Sequence, residues 1–398
     1  MREGWKIVPF GNVCEISGGS QPPKDNFIYE PREGYIRLIQ VRDYRTNKYI
    51  TYIPKKKAKK FCTATDIMIG RYGPPIFGIF NGIEGAYNVA LMKAIPDENK
   101  LNKEYLRWFL KTSDLVRFVE KTSKRAAGQD GVRKERLYSY PTPLPPLPEQ
   151  KRIVSILDRA FEAIDKAKAN AKQNLQNAKE LFESYLQGVF ENKGNDWKMK
   201  TVQDITNVIN GYAFSSKEFK PTNSIKSIKI TNVGVKEFVE ETENYLPEKY
   251  KDTLKGVKVR EGDIVIALTR TIISAGLKVA VVPKSYDGAL VNQRVAALVP
   301  KQGIINQRYL YNFLITDGVA KYVLAHVNTL MQPNLSIMDL KKMSVPYPSI
   351  EEQKQIVKKV DGFSAKTKKL ESIYQQKISN LEELKKSILQ KAFAGELI

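Results

Sequence analysis

One phrase occurs twice in this chain. PLPPLPEQKRIVSILD begins at Pro143 and VPYPSIEEQKQIVKKVD at Val345. Glu149 answers Glu352, Gln150 answers Gln353, Ile153 answers Ile356, Val154 answers Val357 and Asp158 answers Asp361, all at one spacing (149 to 352). Self-similarity at a fixed offset marks a duplicated unit and constrains the fold more than any single motif. It makes the chain two copies of one design, so its task calls for two similar sites.

The duplication extends well beyond the phrase. Trp5-Lys6 matches Trp197-Lys198 and Gly19 matches Gly211; IRLIQV from Ile36 falls on IKITNV from Ile228 at that same spacing (5 to 197). DIMIGR from Asp66 resembles DIVIAL from Asp263, while Asn88 and Tyr105 fall on Asn292 and Tyr309. The spacing drifts upward along the chain, as insertions in surface loops would make it. Each copy reads as a globular portion, a Pro-rich joint and a long polar tail.

The globular portions carry β-branched runs bounded by Gly, Pro and Asp. These are Ile36 to Val41 and Asp66 to Ile69 in the first copy, and Ile228 to Val233, Asp263 to Leu268, Val279 to Val282 and Val291 to Val299 in the second. One short helix is predicted in each, over Lys103 to Val119 and Gln307 to Val323. The class is α+β with mixed or antiparallel sheets. Pro141, Pro143, Pro145, Pro146 and Pro148 predict an extended, stiff joint rather than a helix. Pro346, Pro348 and Ser349 repeat it, and Ser349 with Glu352 forms a capping-box pattern.

Both tails carry an apolar seam at heptad spacing. In the first it runs through Ile153, Leu157, Ala160, Ile164, Ala167 and Ala171 and resumes at Leu175, Ala178, Phe182, Tyr185 and Val189. In the second it runs through Ile356, Val360, Phe363, Thr367, Leu370 and Tyr374, then Ile378, Leu381, Leu384 and Ile388. Two matching stripes of about forty residues predict helices that pack on each other, each roughly 60 Å long. Their ends repeat as well: LFESYLQGVF from Leu181 matches LKKSILQKAF from Leu384.

Charge speaks to partners. Among 398 residues, 65 Lys and Arg face 43 Asp and Glu, a net charge of +22, which favours polyanions. No apolar run approaches the roughly 20 residues of a membrane span, and Met1 leads into Arg2, Glu3 and Gly4 with no signal-peptide core. Cys14 and Cys62 lie in the first copy without counterparts, which fits a reducing cytosol and not a disulfide framework or thiolate metal site.

Chemistry of the chain's own is not expected. The P-loop pattern is missing, and Gly-Pro-Pro-Ile at Gly73 lacks the polar first residue and the final aromatic of amino-methylases. The single histidine, His326, excludes a two-histidine metal site. Asp66 and Asp263 stand at strand starts, where a turn role suffices.

The paired Pro-x-Pro-x-x-Glu-Gln-x-x-Ile joint, the helix after it and its Ser-x-Leu-Gln-x-x-Phe ending resemble the specificity subunit of type I restriction-modification systems. QPNLSIMDLKKMSVPYP from Gln332 is similar to that family too, whereas GQDGVRKERLYSYPTP from Gly128 is looser. The resemblance implies a non-catalytic protein of bacterial or archaeal phage defence. Two target recognition domains, 1–145 and 194–348, would each read half of a split, non-palindromic DNA site. Two spacer helices, 146–193 and 349–398, would pack as an antiparallel coiled coil about an internal pseudo-twofold axis and set the gap between half-sites. Two modification (methyltransferase) subunits and restriction subunits would dock on it. S-adenosylmethionine, ATP and magnesium would belong to those partners, with no cofactor or metal on this chain. Alternatives are a recognition subunit of a methylase-only or other phage-defence complex and, from a different class, a coiled-coil scaffold for RNA or an anionic membrane surface.

Base edges are read by Arg, Lys, Asn and Gln on loops and strands that enter the major groove. The candidates after one repeated strand are Arg71 and Tyr72, answered by Thr269, Arg270 and Thr271. The other repeated strand offers Arg37, Gln40 and Arg42 against Lys229 and Asn232, and the loop before each joint offers Gln129 and Arg133 against Gln332 and Asn334. Candidate phosphate contacts are Lys55, Lys56, Lys57, Lys59 and Lys60, followed by Lys121, Lys124 and Arg125.

Overall fold

The computed structural model describes residues 4–73, 76–124, 130–192, 194, 196–240, 245–327 and 334–397. The chain divides into two compact units, residues 1–172 with 376–398, and residues 173–375.

In the first unit the joint is a strand. Pro141–Leu144 pairs antiparallel with Lys6–Pro9, Pro143 opposite Ile7. A two-stranded ladder leaves each strand an open edge, so prolines without an N–H are tolerated. The helix then opens at Leu147 with Pro148 in its first turn, where a missing N–H costs nothing. The central sheet is antiparallel in the order Cys14–Gly18, Leu91–Pro96, Ile67–Gly70, Ile79–Asn81. A second sheet orders Tyr52–Pro54, Tyr35–Ile39, Gly85–Tyr87 and Phe61–Cys62, with Tyr35–Ile39 and Gly85–Tyr87 parallel.

The second unit repeats the plan. Lys198–Thr201 pairs with Ser344–Tyr347. The central order is Thr206–Asn210, Val295–Pro300, Ile264–Ala267, Val279–Val281, again antiparallel. Ser227–Ile228 pairs in parallel with Leu290–Val291. Mixed pairing is therefore built into both units.

Three sequence expectations change. The run from Ile36 stops as a strand at Ile39, because Gln40 and Asp43 close a capping box that turns Val41–Tyr44 into a 3-10 helix. Its counterpart is strand only over Ser227–Ile228, and Ile228 stands beside Val291 as Ile39 stands beside Tyr87, so the structure matches Ile228 to Ile39 and not to Ile36. There the Lys229 N–H donates to Asn232 Oδ1 (2.8 Å) and Asn232 Nδ2 donates to the Val239 carbonyl (2.9 Å), a side-chain turn that competes with the ladder. The single short helix is two: Lys103–Phe109 then Ser113–Ser123, and Gln307–Leu314 then Asp317–His326. Thr112 and Thr316 stand at the breaks, each hydroxyl donating at 2.8 Å to the carbonyl of Phe109 or Phe313.

The long helices, Leu147–Glu191 and Ile350–Ala394, have 45 residues each. At about 1.5 Å per residue each is about 68 Å long. They pack antiparallel within each unit. In the first, Lys385 meets Asp165 at 2.8 Å and Lys168 meets Glu382 at 2.6 Å, one number falling as the other rises. In the second, the Tyr185 and Phe363 rings stack at 4.2 Å.

The seam is mostly where heptad spacing puts it. Ile153, Leu157, Ile164 and Val360 are buried; Ala160, Leu175, Phe182, Ile356, Phe363, Leu381 and Ile388 are half-buried. Leu370 (39% exposed) and Leu384 (46%) are corrections: they face solvent, while Thr367 and Ile378 are buried. Nor do the stripes serve only each other. Ile153, Leu157, Phe161 and Ile164 share one core with Tyr105, Leu106 and Phe109, so this stretch packs on the globular portion and on the other helix together.

Candidate nucleic-acid interface

The repeated joint residues are committed to the frame. Gln150 and Gln353 are fully buried. Gln150 Oε1 accepts from the Asn102 N–H (2.7 Å), and its Nε2 donates to the carbonyls of Lys100 and Pro145 (2.8 Å each). Gln353 accepts from the Asn306 N–H (2.8 Å) and donates to the Pro348 carbonyl (3.0 Å). Asn102 and Asn306 cap the helices of Tyr105 and Tyr309, whose hydroxyls reach back to the carbonyls of Pro143 and Pro346. One side-chain lock thus ties strand, short helix and long helix together in each unit.

At one end of each central sheet two sequence-distant candidate loops meet. The Val132 N–H donates to the Arg71 carbonyl (3.0 Å), and the Leu335 N–H to the Leu268 carbonyl (2.9 Å). Gly131 is held against the Tyr72 ring, where a Cβ would clash. The Arg71 guanidinium lies 5.1 Å from the Tyr72 ring centre, its Nε buried without a partner. In the second unit Thr269 bridges Asn334, and Arg270 is exposed with φ +48°. Thr271 is fully buried beside it. Arg270 also has an electrostatic neighbour in Lys278, whose ammonium is held below its ordinary range by burial first and by that guanidinium second. Arg133 donates to the Lys124 carbonyl at 3.2 Å. Gln129 and Gln332 lie outside the described residues, as do Arg125, Pro74 and Pro75.

The other base-reading candidates occupy a different place. Arg37 lies 3.6 Å from the Asp43 carboxylate, whose side chain is wholly buried. Burial raises the Asp43 carboxyl above its usual range, against the Gln40 N–H and the charges of Arg37 and Arg42. Gln40 Nε2 and Arg42 Nη2 both donate to Thr51 Oγ1, at 3.1 and 3.2 Å. Only Arg42 of these three is exposed, its guanidinium 5.6 Å from the Tyr49 ring centre. Asn232 is fully buried with its amide spent on the turn, and Lys229 is half-buried with its ammonium 5.4 Å from the Phe219 ring centre. Sequence alone could not separate these from open readers, because both uses select the same residue types.

The basic run lies open. Lys55–Lys57 form an exposed 3-10 turn, with Lys59, Lys60, Lys121 and Lys124 also exposed. Lys57 donates to Asn26 Oδ1 (2.7 Å) and Lys60 to Ser17 Oγ (3.1 Å). These bonds hold the ammonium groups on the surface without neutralising them.

Titratable groups are in structural use. Asp66 Oδ2 accepts from the Thr63 N–H (2.9 Å) and Asp263 Oδ2 from the Arg260 N–H (2.7 Å), as turn residues do. His326 ends its helix with Nδ1 2.8 Å from the Tyr322 carbonyl. Burial pushes the Cys14 thiol up to about 12 and the Cys62 thiol to about 11, so neither is a ready nucleophile. Among the described residues no group of three or more His, Cys, Asp or Glu is placed to hold a metal ion, and no helix is long and apolar enough to cross a membrane.

Sequence reasoning passed over Gln293 and Arg294, exposed residues in the turn that feeds the central strand. The signal was available: they follow the repeated Asn292, where the first copy has Val89 and Ala90 after Asn88.

Comparison with known proteins gives one answer along the whole chain. The family model for the type I restriction modification DNA specificity domain matches twice, at residues 2–177 and 194–381. The type I restriction enzyme MjaVIII specificity subunit of Methanocaldococcus jannaschii is 25% identical over 99% of this chain and 93% of its own length. The EcoKI specificity subunit of Escherichia coli is 22% identical over 99% of this chain and 89% of its own. Among solved structures, a chain from work on assembly and conformational transition of the type I R-M system has a TM-score of 0.77 at 18% identity, covering 100% of this chain and 99% of its own. The HsdS subunit from Thermoanaerobacter tengcongensis has a TM-score of 0.63 at 18% identity, covering 100% and 98%. A doubled frame with matching strand orders, and a family model that fits it twice, lead to one conclusion: this chain belongs to the type I restriction-modification DNA specificity family and carries its domain in two copies.

Proposed function

We propose that this chain is the DNA-sequence specificity subunit of a type I restriction-modification complex, reading a bipartite, non-palindromic target with one half-site per recognition domain. The observation that carries the reading is the repeated loop meeting at the end of each central sheet. The backbone bonds are the same in both units, Val132 to Arg71 and Leu335 to Leu268, while the side chains differ. A common frame with unlike readers suits unlike half-sites. The domain limits 1–145 and 194–348, with spacer helices 146–193 and 349–398, belong to this reading.

The chain supplies recognition and a scaffold, and the chemistry falls to its partners. Two modification subunits would methylate adenine with S-adenosylmethionine, and restriction subunits would use ATP and magnesium to translocate and cut. The work belongs in the cytoplasm, where the DNA is. The excess of cationic over acidic side chains supports salt-dependent attraction to phosphates, with Lys55, Lys56, Lys57, Lys59, Lys60, Lys121 and Lys124 as contributors. Arg71, Tyr72, Arg133, Thr269, Arg270 and Asn334 are the preferred base readers.

The test is to purify the chain with its modification subunit, methylate random-sequence DNA and sequence the modified adenines. A split motif with a fixed gap is expected. Methylation without sequence preference would overturn the reading.

A further inference from the structure

The residues after the repeated asparagine sit in the same clasp in both units. Gly19 and Gly211 pass so close to the carbonyls of Asn88 and Asn292 that a Cβ on either glycine would overlap that oxygen. The Asn88 N–H donates to the Ile39 carbonyl and the Asn292 N–H to the Ile228 carbonyl, both at 3.0 Å. Two residues further, the Ala90 carbonyl accepts from the Arg71 N–H and the Arg294 carbonyl from the Leu268 N–H, both at 2.8 Å. The next residue closes the turn: the Leu91 N–H donates to the Asn88 carbonyl (3.0 Å) and the Val295 N–H to the Asn292 carbonyl (2.8 Å). These three pairs of bonds recur in both units, and the second unit adds one from the Gln293 N–H to the Tyr212 carbonyl (2.9 Å). What the turns hold differs entirely, Val89-Ala90 in one and Gln293-Arg294 in the other.

A second difference lies beside it. Leu268 leads through Thr269 to Arg270, which has φ +48°; from Arg71 the same two steps reach Gly73 at φ +86°. The frame asks for a left-handed residue there, and the first unit uses glycine. The second accepts the steric cost of a side chain at that position, and such strain is kept where the side chain has a task. Arg and Gln are the side chains that make paired hydrogen bonds to guanine and adenine edges, whereas Val and Ala offer only apolar contact, as to a thymine methyl.

We propose that the dipeptide after each repeated asparagine is an interchangeable specificity element, and that Gln293 and Arg294 together with Arg270 read purine edges in the half-site of the second unit. The inference rests on the specificity reading above and deepens it, adding Gln293 and Arg294 to Arg270 and committing the three to purine edges. Nothing in the clasp depends on the identity of the two residues, since Asn and Gly make it, so the pair can change while the frame stays.

The experiment uses the complex of the full chain with its modification subunit. The double variant Gln293→Val/Arg294→Ala, which transplants the first unit's pair, is compared with the unaltered chain by sequencing the adenines methylated in random-sequence DNA. Discrimination at one or two purine positions of a single half-site should fall by roughly 5- to 150-fold, with the other half-site read as before and serving as an internal control of folding and assembly. Arg270→Ala should relax the same half-site. An unchanged motif in the double variant would overturn the inference, and so would equal losses at both half-sites, which mark a general contact. If the unaltered complex itself shows no motif, the specificity reading fails and this inference with it; if only the variant is unchanged, the reading stands and the inference alone falls.

Discussion

Single residues divide here into those that hold the frame and those that face outward, and the two kinds look alike in a sequence. Gln353 repeats Gln150 because both are buried and spend their amides on backbone groups of two neighbouring segments. Replacing Gln353 with Ala leaves the Asn306 N–H and the Pro348 carbonyl unpaired in the interior, at about 1–3 kcal/mol for each group. Chemical denaturation of the variant should show a loss of about 2–6 kcal/mol; a midpoint matching the parent would refute the lock. Arg270 predicts the opposite sign. Arg270→Gly relieves a left-handed backbone and should raise stability by about 1 kcal/mol while recognition of one half-site weakens. Denaturation and motif sequencing on one preparation check both, and a variant that gains neither stability nor relaxed specificity contradicts the strain argument.

At the scale of elements, the sequence showed where secondary structure lies more clearly than where it stops. The long helices were legible because their apolar spacing persists for 45 residues. The breaks at Thr112 and Thr316 were not, because helical spacing continues through them while each hydroxyl and its own N–H turn back to the carbonyl of Phe109 or Phe313 and end the first helix. Solvent-facing Leu370 and Leu384 have a related cause: apolar residues drift out of a seam when a straight helix departs from a 3.5-residue repeat. The register shows in pairs such as Asp165 with Lys385 and Lys168 with Glu382, and the buried seam residues between the helices hold it. Deleting seven residues from one long helix alone should therefore abolish assembly with the modification subunit. Deleting seven facing residues from both should preserve it and shorten the preferred gap in the methylated motif. An unchanged gap in the double deletion would exclude the helices as the spacer.

For the whole molecule, charge and duplication matter more than any one contact. The net charge of +22 and the exposed lysine turn at Lys55–Lys57 call for a sequence-independent attraction that fades with salt. Changing Lys55, Lys56 and Lys57 to Ala should weaken DNA binding about equally for target and non-target duplexes and lower the slope of log affinity against log salt by up to about 3. Fluorescence anisotropy over a salt series measures this. A loss confined to the target duplex would make these lysines base readers instead.

The sequence by itself determined the doubled frame, because a repeated joint, glycine, asparagine and heptad stripe each answer a local geometric demand that recurs in both copies. It also determined the chemistry of the partner, since net charge is a sum over side chains whatever the fold. Only the tertiary structure decided which polar residues are spent inside the fold and which stay exposed. Asn232 and Gln40 turned inward to satisfy backbone and hydroxyl groups, whereas Arg71 met Val132 and Leu268 met Leu335 across long stretches of chain. Burial and long-range pairing are properties of the folded backbone and leave no local mark. The repeated asparagines lie between the two cases: visible as letters, and explained only by the glycines that cross them.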